Sequence, residues 1–387
     1  MTEASIRTQG YARRMIRRTF TRLSARVGLA WIGVLACFAI FSPFLASSRP
    51  LLLSENGKIS SPVLSALGIQ DVVLLVTFFA LLILSRFNFS GGKKLLLLLV
   101  VIAITTALGT SLLKPPKLTI YEQYREQVAN GQYDWAVFPP IPYSPRDYLR
   151  DQGETGLLAP SRKHWLGTEE NGADVFSRMI HASRIALGIG FVATGIALFI
   201  GVIIGGLMGY FSGIADIIGM RLVEIFEAVP TLFLLLTFVA FFGRSLYIMM
   251  VIIGITSWPG YARYVRAEFL KLRQQDYVQA AVASGLPLRS ILFRHMLPNG
   301  VAPVLVGASF GVASAILAEA TLSFLGLGLV DAPSWGQMLN QAVRSSTFNW
   351  WMAAFPGGAI FLTVLAYNLM GDALRDAIDP HLSTVVD

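Results

Sequence analysis

About eight apolar stretches, each near the roughly 20 residues a helix needs to cross a bilayer core of about 30 Å, limit what this chain can fold into. They are Val27–Ala46, Asp71–Phe87, Leu95–Leu113, Ile185–Tyr210, Ile217–Phe241, Leu246–Tyr261, Val301–Phe324 and Met352–Met370. Composition agrees: 54% of the 387 residues are hydrophobic and 14% charged, against about 25% charged in soluble domains, and the mean hydropathy is +0.60. The first stretch exceeds the roughly 7–15 apolar residues of a cleavable leader, so it reads as a span. The expected fold class is an all-α integral membrane protein of about eight spans.

The net charge of +8 points to a membrane rather than to nucleic acid, because its carriers flank apolar runs. Arg7, Arg13, Arg14, Arg17, Arg18, Arg22 and Arg26 precede the first span. Placing this arm (1–26) inside and alternating, the Arg86, Lys93, Lys94 loop and the Arg263–Arg294 loop also fall inside, as basic loops should. The tail (374–387), with Arg375, lands inside too. An even span count thus satisfies three separate loops, with both termini cytoplasmic. Cys37 is the single cysteine, which excludes an internal disulfide framework or a Cys-rich metal site.

Between the third and fourth spans, residues 114–183 are polar and rich in Pro139, Pro140, Pro142 and Pro145, with Tyr121, Tyr124, Tyr133, Trp135 and Tyr143. Alternation puts this segment outside. A short helix is expected over Tyr121–Ala129, and the proline cluster forbids a continuous one. Two readings stay open: a docking surface for an external protein, or a linker resting its aromatic rings in the headgroups. At its end, Asp174 suits a helix start, where a carboxylate meets orphan N–H groups.

Asp276–Asn299 lies in an inside loop yet is helical in pattern. Tyr277, Ala280, Ala281 and Ser284 recur at i, i+3, i+4 and i+7, the spacing of one helix face. Gly285 stops this helix and Pro287 starts a second, carried by Ile291, Leu292 and His295 to Pro298. With small residues at Ala280, Ala281 and Gly285, and Arg273, Arg289 and Arg294 around them, the hairpin suits close docking of another protein.

These residues carry a resemblance. Ala280-Ala281, Gly285 and Ile291 through Leu297-Pro298-Asn299 resemble the Glu-Ala-Ala loop of bacterial ABC importer permeases, with Gln279 where that family has Glu. His164-Trp165-Leu166-Gly167-Thr168 through Gly172-Ala173-Asp174 is similar to the H-x-L-G-T-D-x-x-G-R-D segment of the oligopeptide, dipeptide and nickel branch, with Ala173 replacing Arg. Leu317–Gly328 with Pro333-Ser334-Trp335-Gly336, and Asn368–Pro380, resemble the same branch. Val27–Ala46 and His164–Pro380 are covered, and Pro50–Lys163 is not. Pro50-Leu51-Leu52 and Asn171-Gly172 look most like a Yej-type oligopeptide permease, a C-type second permease.

The resemblance implies a type I importer core of six helices (27–46 and 184–373), with two additional spans within 27–113. It implies a coupling hairpin at 276–297 that rests on an ATPase through Tyr277, Gln279, Ala280, Ala281, Gly285 and Arg289. The implied partners are a second homologous permease, two ABC ATPases that bind ATP and Mg themselves, an extracytoplasmic solute-binding protein, and membrane lipid. Peptides are the implied cargo, and no nucleic acid, metal or catalytic residue is expected in this chain.

Within the spans, Gly201, Gly205 and Gly209, and again Gly307 and Gly311, show the small-xxx-small spacing of close helix packing. Glu224 and Glu227 sit beside Arg221 at an interface. Glu319 lies in an apolar helix, where an ionisable group is costly unless it faces protein or water. It either lines a transport path or joins a subunit interface. No G-x-x-x-x-G-K-[ST] or H-E-x-x-H occurs, and His164, His181, His295 and His381 are scattered, which excludes those nucleotide and zinc sites. Gly307-Ala308-Ser309-Phe310-Gly311 matches the nucleophile-elbow pattern, but that motif needs a strand–turn–helix setting. The alternatives are therefore an ion-coupled secondary transporter using Glu319 and an intramembrane hydrolase using Ser309.

Overall fold

The computed structural model describes residues 19–113, 119–149, 156–329 and 332–378. The basic arm through Arg18 and the tail with Pro380 and His381 lie outside the described residues. In chain order the elements are α1 (Leu23–Leu45), β1 (Leu52–Glu55), β2 (Lys58–Ser60), α2 (Pro62–Ser65), α3 (Ile69–Arg86), α4 (Gly91–Leu112), α5 (Gln123–Ala129), β3 (Trp135–Val137) and α6 (Val175–Phe211). There follow α7 (Gly213–Ala228), α8 (Thr231–Phe242), α9 (Leu246–Leu272), α10 (Asp276–Ala283), α11 (Leu288–Ser290), a π-helix π1 (Ile291–Met296), α12 (Leu297–Leu322), π2 (Ser323–Leu327), α13 (Trp335–Arg344) and α14 (Trp350–Ile378).

The protein is an all-α membrane protein with one small sheet. Among the described residues, six helical stretches are long and apolar enough to cross a bilayer: α1, α3, α4, α6, Pro303–Leu327 and α14. A seventh results if α7 and α8 count as one span, but these two are bent by 82°. The expected continuous span Ile217–Phe241 is thereby corrected. Pro230 caps α8 and lacks the N–H that would continue α7, and Val229 before it takes the extended conformation that proline imposes. The remaining expected span, Leu246–Tyr261, is the first part of α9. That helix runs on through Arg263, Arg266, Glu268 and Lys271, and it is not among the stretches apolar enough to cross a bilayer.

The chain divides into two compact units. The first comprises residues 1–33, 185–340 and 356–387. Its core joins Ile185, Ile189 and Ala193 of α6, Leu235 and Val239 of α8, Met249, Met250, Ile252 and Ile253 of α9, and Ala315 and Leu322 of α12. Gly201, Gly205 and Gly209 of α6 lie against α9: a Cβ on Gly201 would come 3.0 Å from the Ala262 nitrogen, on Gly209 2.7 Å from the Arg266 carbonyl, and on Gly205 onto the Ala262 carbonyl. Backbone meets backbone along this row.

The second unit comprises residues 34–184 and 341–355. The described residues of the segment expected as a loop or linker take part in a small sheet and a packed core here. β1 pairs antiparallel with β2 and with β3 in the order β2-β1-β3, joining Leu52–Ser54 to Trp135–Val137 across the chain. Tyr143, Leu149 and Ile141 are buried with Ala46 and Ile180. The expected helix at Tyr121–Ala129 is α5, which begins at Gln123.

Candidate functional site

An exposed elbow follows α9. Gln275, in extended conformation, precedes α10. The helix ends where Gly285 adopts φ +68°. The Gly285 N–H donates to the Val282 carbonyl (2.9 Å) and the Leu286 N–H to the Ala281 carbonyl (3.2 Å), the double closure of a Schellman cap. A residue without Cβ takes that left-handed conformation unstrained. Pro287, extended and without an N–H, opens α11. The chain then winds through α11, π1 and α12 without interruption, so Pro298 lies in the first turn of α12 rather than ending a separate helix.

One face of the elbow is fixed to the first unit. Val278 (1% exposed), Ala281 (6%), Ile291 and Met296 pack with Val265, Phe269 and Leu272 of α9. Ala281 is therefore corrected: it faces the protein's own core and is not available for docking. Gln279 donates to the Arg273 carbonyl at the end of α9 (2.7 Å), a bond a glutamate could not donate. That gives the Glu-to-Gln departure an internal role. Arg273 is also engaged, donating to the Tyr210 carbonyl (3.0 Å) and the Ser212 hydroxyl (2.6 Å). Tyr277 bonds the Asn299 side chain, and burial of its ring pushes the hydroxyl's pKa up, with that bond opposing.

The other face is open. Ala280, Gly285 and Arg289 are exposed, and so are Tyr277, Val282, Leu286, Leu288 and Phe293. The last four went unrecognised in the sequence; their signal was apolar residues off the stripe that buries Val278, Ala281 and Ile291. Beside the elbow, Arg266 holds both carboxylate oxygens of Asp216 through Nε and Nη2, and Arg263 pairs with Glu227. Arg221 and Glu224 pair at 2.5 Å with both side chains exposed, which contributes less than about 1 kcal/mol.

Deeper in the first unit, α6, α9 and α12 enclose a cavity of ≈ 320 Å³ whose lining includes Thr194, Ser257, Tyr261, Tyr264 and Ser314. Gly307 and Gly311 open onto it. Their expected role in backbone-close helix packing is corrected: the space beside them is taken by the Tyr261 side chain, whose hydroxyl reaches the Gly307 carbonyl at 3.4 Å. Ser309 lies in α12 with its hydroxyl on the Leu305 carbonyl, in no strand–turn–helix setting. Glu319 is 2% exposed. It accepts from Ser323 (2.6 Å) and bonds Ser334, so it ties α12 to the return segment and lies outside the cavity lining. The polar partners of Glu319 thus lie within its own chain. Among the described residues no group of acids, histidines and cysteine could hold a metal.

The second unit contains the other motif. Asp174 caps α6 by accepting from the Ser177 N–H (2.8 Å) and pairs with His164 Nδ1 (2.9 Å). Ala173 is fully buried, leaving no room for the family's guanidinium. At Gly167 (φ +80°) a Cβ would meet the Trp351 ring at 2.8 Å, and Trp351 Nε1 donates to the Thr168 carbonyl. Glu169 lies 3.8 Å from Arg178; burial holds its carboxyl above the usual range, with Arg178 opposing.

Residues 201–384 match the model of the family described as "Binding-protein-dependent transport system inner membrane component". The chain is 37% identical over 250 residues to a dipeptide transport system permease of Alkalihalophilus pseudofirmus, covering 64% of this chain and 82% of the relative. It is 40% identical over 252 residues to a glutathione transport system permease of Pectobacterium atrosepticum (65% and 82% covered). An oligopeptide transport system permease of Bacillus subtilis is 38% identical over 249 residues (64% and 81%). Among solved structures, an inward-facing MetNI methionine ABC transporter aligns with TM-score 0.43 and 20% identity, covering 52% of this chain and 96% of that one.

Proposed function

The chain belongs to the family of binding-protein-dependent transport system inner membrane components, and from that premise we propose that it is a permease subunit of an ATP-driven peptide importer. It sits in the bacterial inner membrane as a multi-pass protein. A second permease completes the path, two ATPases hold ATP and Mg, and an extracytoplasmic binding protein delivers cargo. Peptide cargo is inferred from relatives named for dipeptide, oligopeptide and glutathione transport.

The observation that carries this reading is the two-faced elbow. Val278 and Ala281 fasten α10 to α9, while Tyr277, Ala280, Val282, Leu286 and Leu288 present an uncovered apolar face. Such patches mark protein-interaction sites. Gly285 shapes the turn, and Arg289 supplies a cation at its rim. A nucleotide-driven partner seated there moves α10, and the unbroken winding through π1 passes that movement to α12, which walls the cavity. Two states with different partner contacts are what such a switch requires. Ala281, buried against α9, and Gln279, exposed but bonded to the Arg273 carbonyl, hold the elbow's shape.

The test is to purify the assembled transporter carrying Ala280→Trp and to measure retained ATPase subunits and ATP-dependent peptide uptake. We expect retention and uptake to fall at least about tenfold, the equivalent of about 1.4 kcal/mol, while membrane insertion is kept. Undiminished ATPase retention would overturn the docking face. Peptide uptake driven by an ion gradient without any ATPase would overturn the class.

A further inference from the structure

The second unit contains a polar cavity of ≈ 330 Å³ that the transport reading does not use. Its walls include Pro43 and Ala46 at the end of α1, Val63 and Ala66 at α2, Asp71 in the first turn of α3, and His181 and Arg184 near the start of α6. Helices α1, α3 and α6 are all of bilayer-crossing length and apolarity. Their ends gather at this cavity, so it lies at headgroup depth. None of the α3 window and 6% of the α4 window is buried, so lipid reaches the flanking surface.

Arg49, Arg146 and Arg184 line the cavity against one carboxylate, Asp71; three cations less one anion leave +2. Asp71 has already accepted the Gly68 N–H (2.7 Å) and Arg184 Nη1 (2.5 Å). Arg184 Nε goes to the Ala39 carbonyl (2.5 Å), and its buried Nη2 has no hydrogen-bond partner. Arg49 uses one nitrogen on Thr119 (3.2 Å). Each guanidinium brings five N–H donors and no acceptor, so donors and positive charge are both in excess. Burial raises the pKa of the Tyr121 hydroxyl; Arg146 and Arg49 lie close enough to oppose that rise, and the Asp147 carboxylate adds to it. A multi-oxygen anion is the ligand that satisfies such a site. The volume, at the low end of ligand pockets, suits a headgroup, and basic pockets between spans bind anionic lipid heads.

We propose that this pocket binds the phosphate headgroup of an anionic phospholipid, anchoring the two additional spans α3 and α4. The site depends only on the membrane location and not on the cargo or the ATPase, so its test stands apart from uptake. The transporter, purified with its partners in neutral detergent, is given phosphatidylglycerol or phosphatidylcholine. Retained lipid is counted by native mass spectrometry and the melting temperature is recorded. Phosphatidylglycerol should be retained and should raise the melting temperature, and phosphatidylcholine should do neither. Arg49→Gln/Arg146→Gln should cut retention about tenfold, about 1.4 kcal/mol, with unchanged elution of the complex. Arg184 is left intact because it holds Asp71 and Ala39. If the double variant fails to assemble, Arg146→Gln alone, at an exposed position, should still lower retention several-fold. Equal retention by variant and wild type, or equal retention of phosphatidylcholine, would overturn the site. Inorganic phosphate giving the whole thermal shift would overturn the lipid assignment.

Discussion

The two units are held together by different forces. In the first, α6 and α9 touch backbone to backbone along Gly201, Gly205 and Gly209. In the second, buried or half-buried polar side chains are matched by partners of complementary charge or hydrogen bonding. Asp147, with no exposed surface, accepts from Ser48 (2.5 Å) and from both terminal nitrogens of Arg125 (2.5 and 3.1 Å), and Arg125 also stacks over Tyr143. Asp174 with His164, and Asp71 with Arg184, repeat the theme. Lipid tails are as apolar as leucine, so helices inside a bilayer gain little from hydrophobic burial and rely on close approach. A polar segment with few aliphatic residues must instead satisfy each charge it buries.

That contrast can be tested by four substitutions, taken from the largest effect down. Asp147→Ala leaves the Arg125 guanidinium without its carboxylate, and losing one member of a buried pair costs about 3–5 kcal/mol. The expected result is loss of folded protein in a protease-resistance assay of the second unit, and full resistance would break the comparison. Gly205→Val puts a branched side chain onto the Ala262 backbone, which has nowhere to go. A cost of about 3 kcal/mol is expected, the upper range for overpacking, read as a lowered midpoint in detergent unfolding.

Gly311→Ala meets side chains rather than backbone, the tip of Tyr261 first and the Thr194 methyl at 3.2 Å. It should cost about 1 kcal/mol, and pairing it with Tyr261→Phe should recover part of that, whereas no side-chain change at Ala262 rescues Gly205→Val. Smallest is a pH effect at Glu169. Its folded pKa is raised above the unfolded value of 4.5, so its stabilising contribution is complete below that value and is lost as pH rises through the folded one. Glu169→Gln should abolish this loss, visible as a flatter unfolding midpoint between about pH 4 and about pH 8.

Span positions were legible because length and apolarity are local properties. The cap at Asp174 and the stop at Gly285 were legible for the same reason: each acts within a few residues of itself. The bend at Val229–Pro230 had its signal in Pro230, hidden by the apolar run around it. Pairing of Leu52–Ser54 with Trp135–Val137 had no such signal, since the strands are three or four residues long and far apart in the chain. At the candidate site, the small residues marked the elbow but not which way each faces. Ala280 and Ala281 are adjacent in sequence, and only packing against Phe269 and Leu272 decides that one is buried and the other is not. Gly307 and Gly311 teach the same lesson, because a four-residue spacing describes a groove and not its occupant. Glu319 read as functional because its partners, Ser323 and Ser334, become partners only when the chain folds back.

Between the elbow and α12, the six residues of π1 (Ile291–Met296) are closed by hydrogen bonds that reach one residue further along the chain than those of their α-helical neighbours. A wide turn stores slack. Tightening it to ordinary α geometry would swivel everything on the elbow side by one residue's pitch, about 100° at 3.6 residues per turn, about the axis of α12. On the proposed reading of the elbow as a docking face, the joint to the cavity wall is thus a swivel as well as a rod, where torque applied at Ala280 would be taken up before it reached Tyr261.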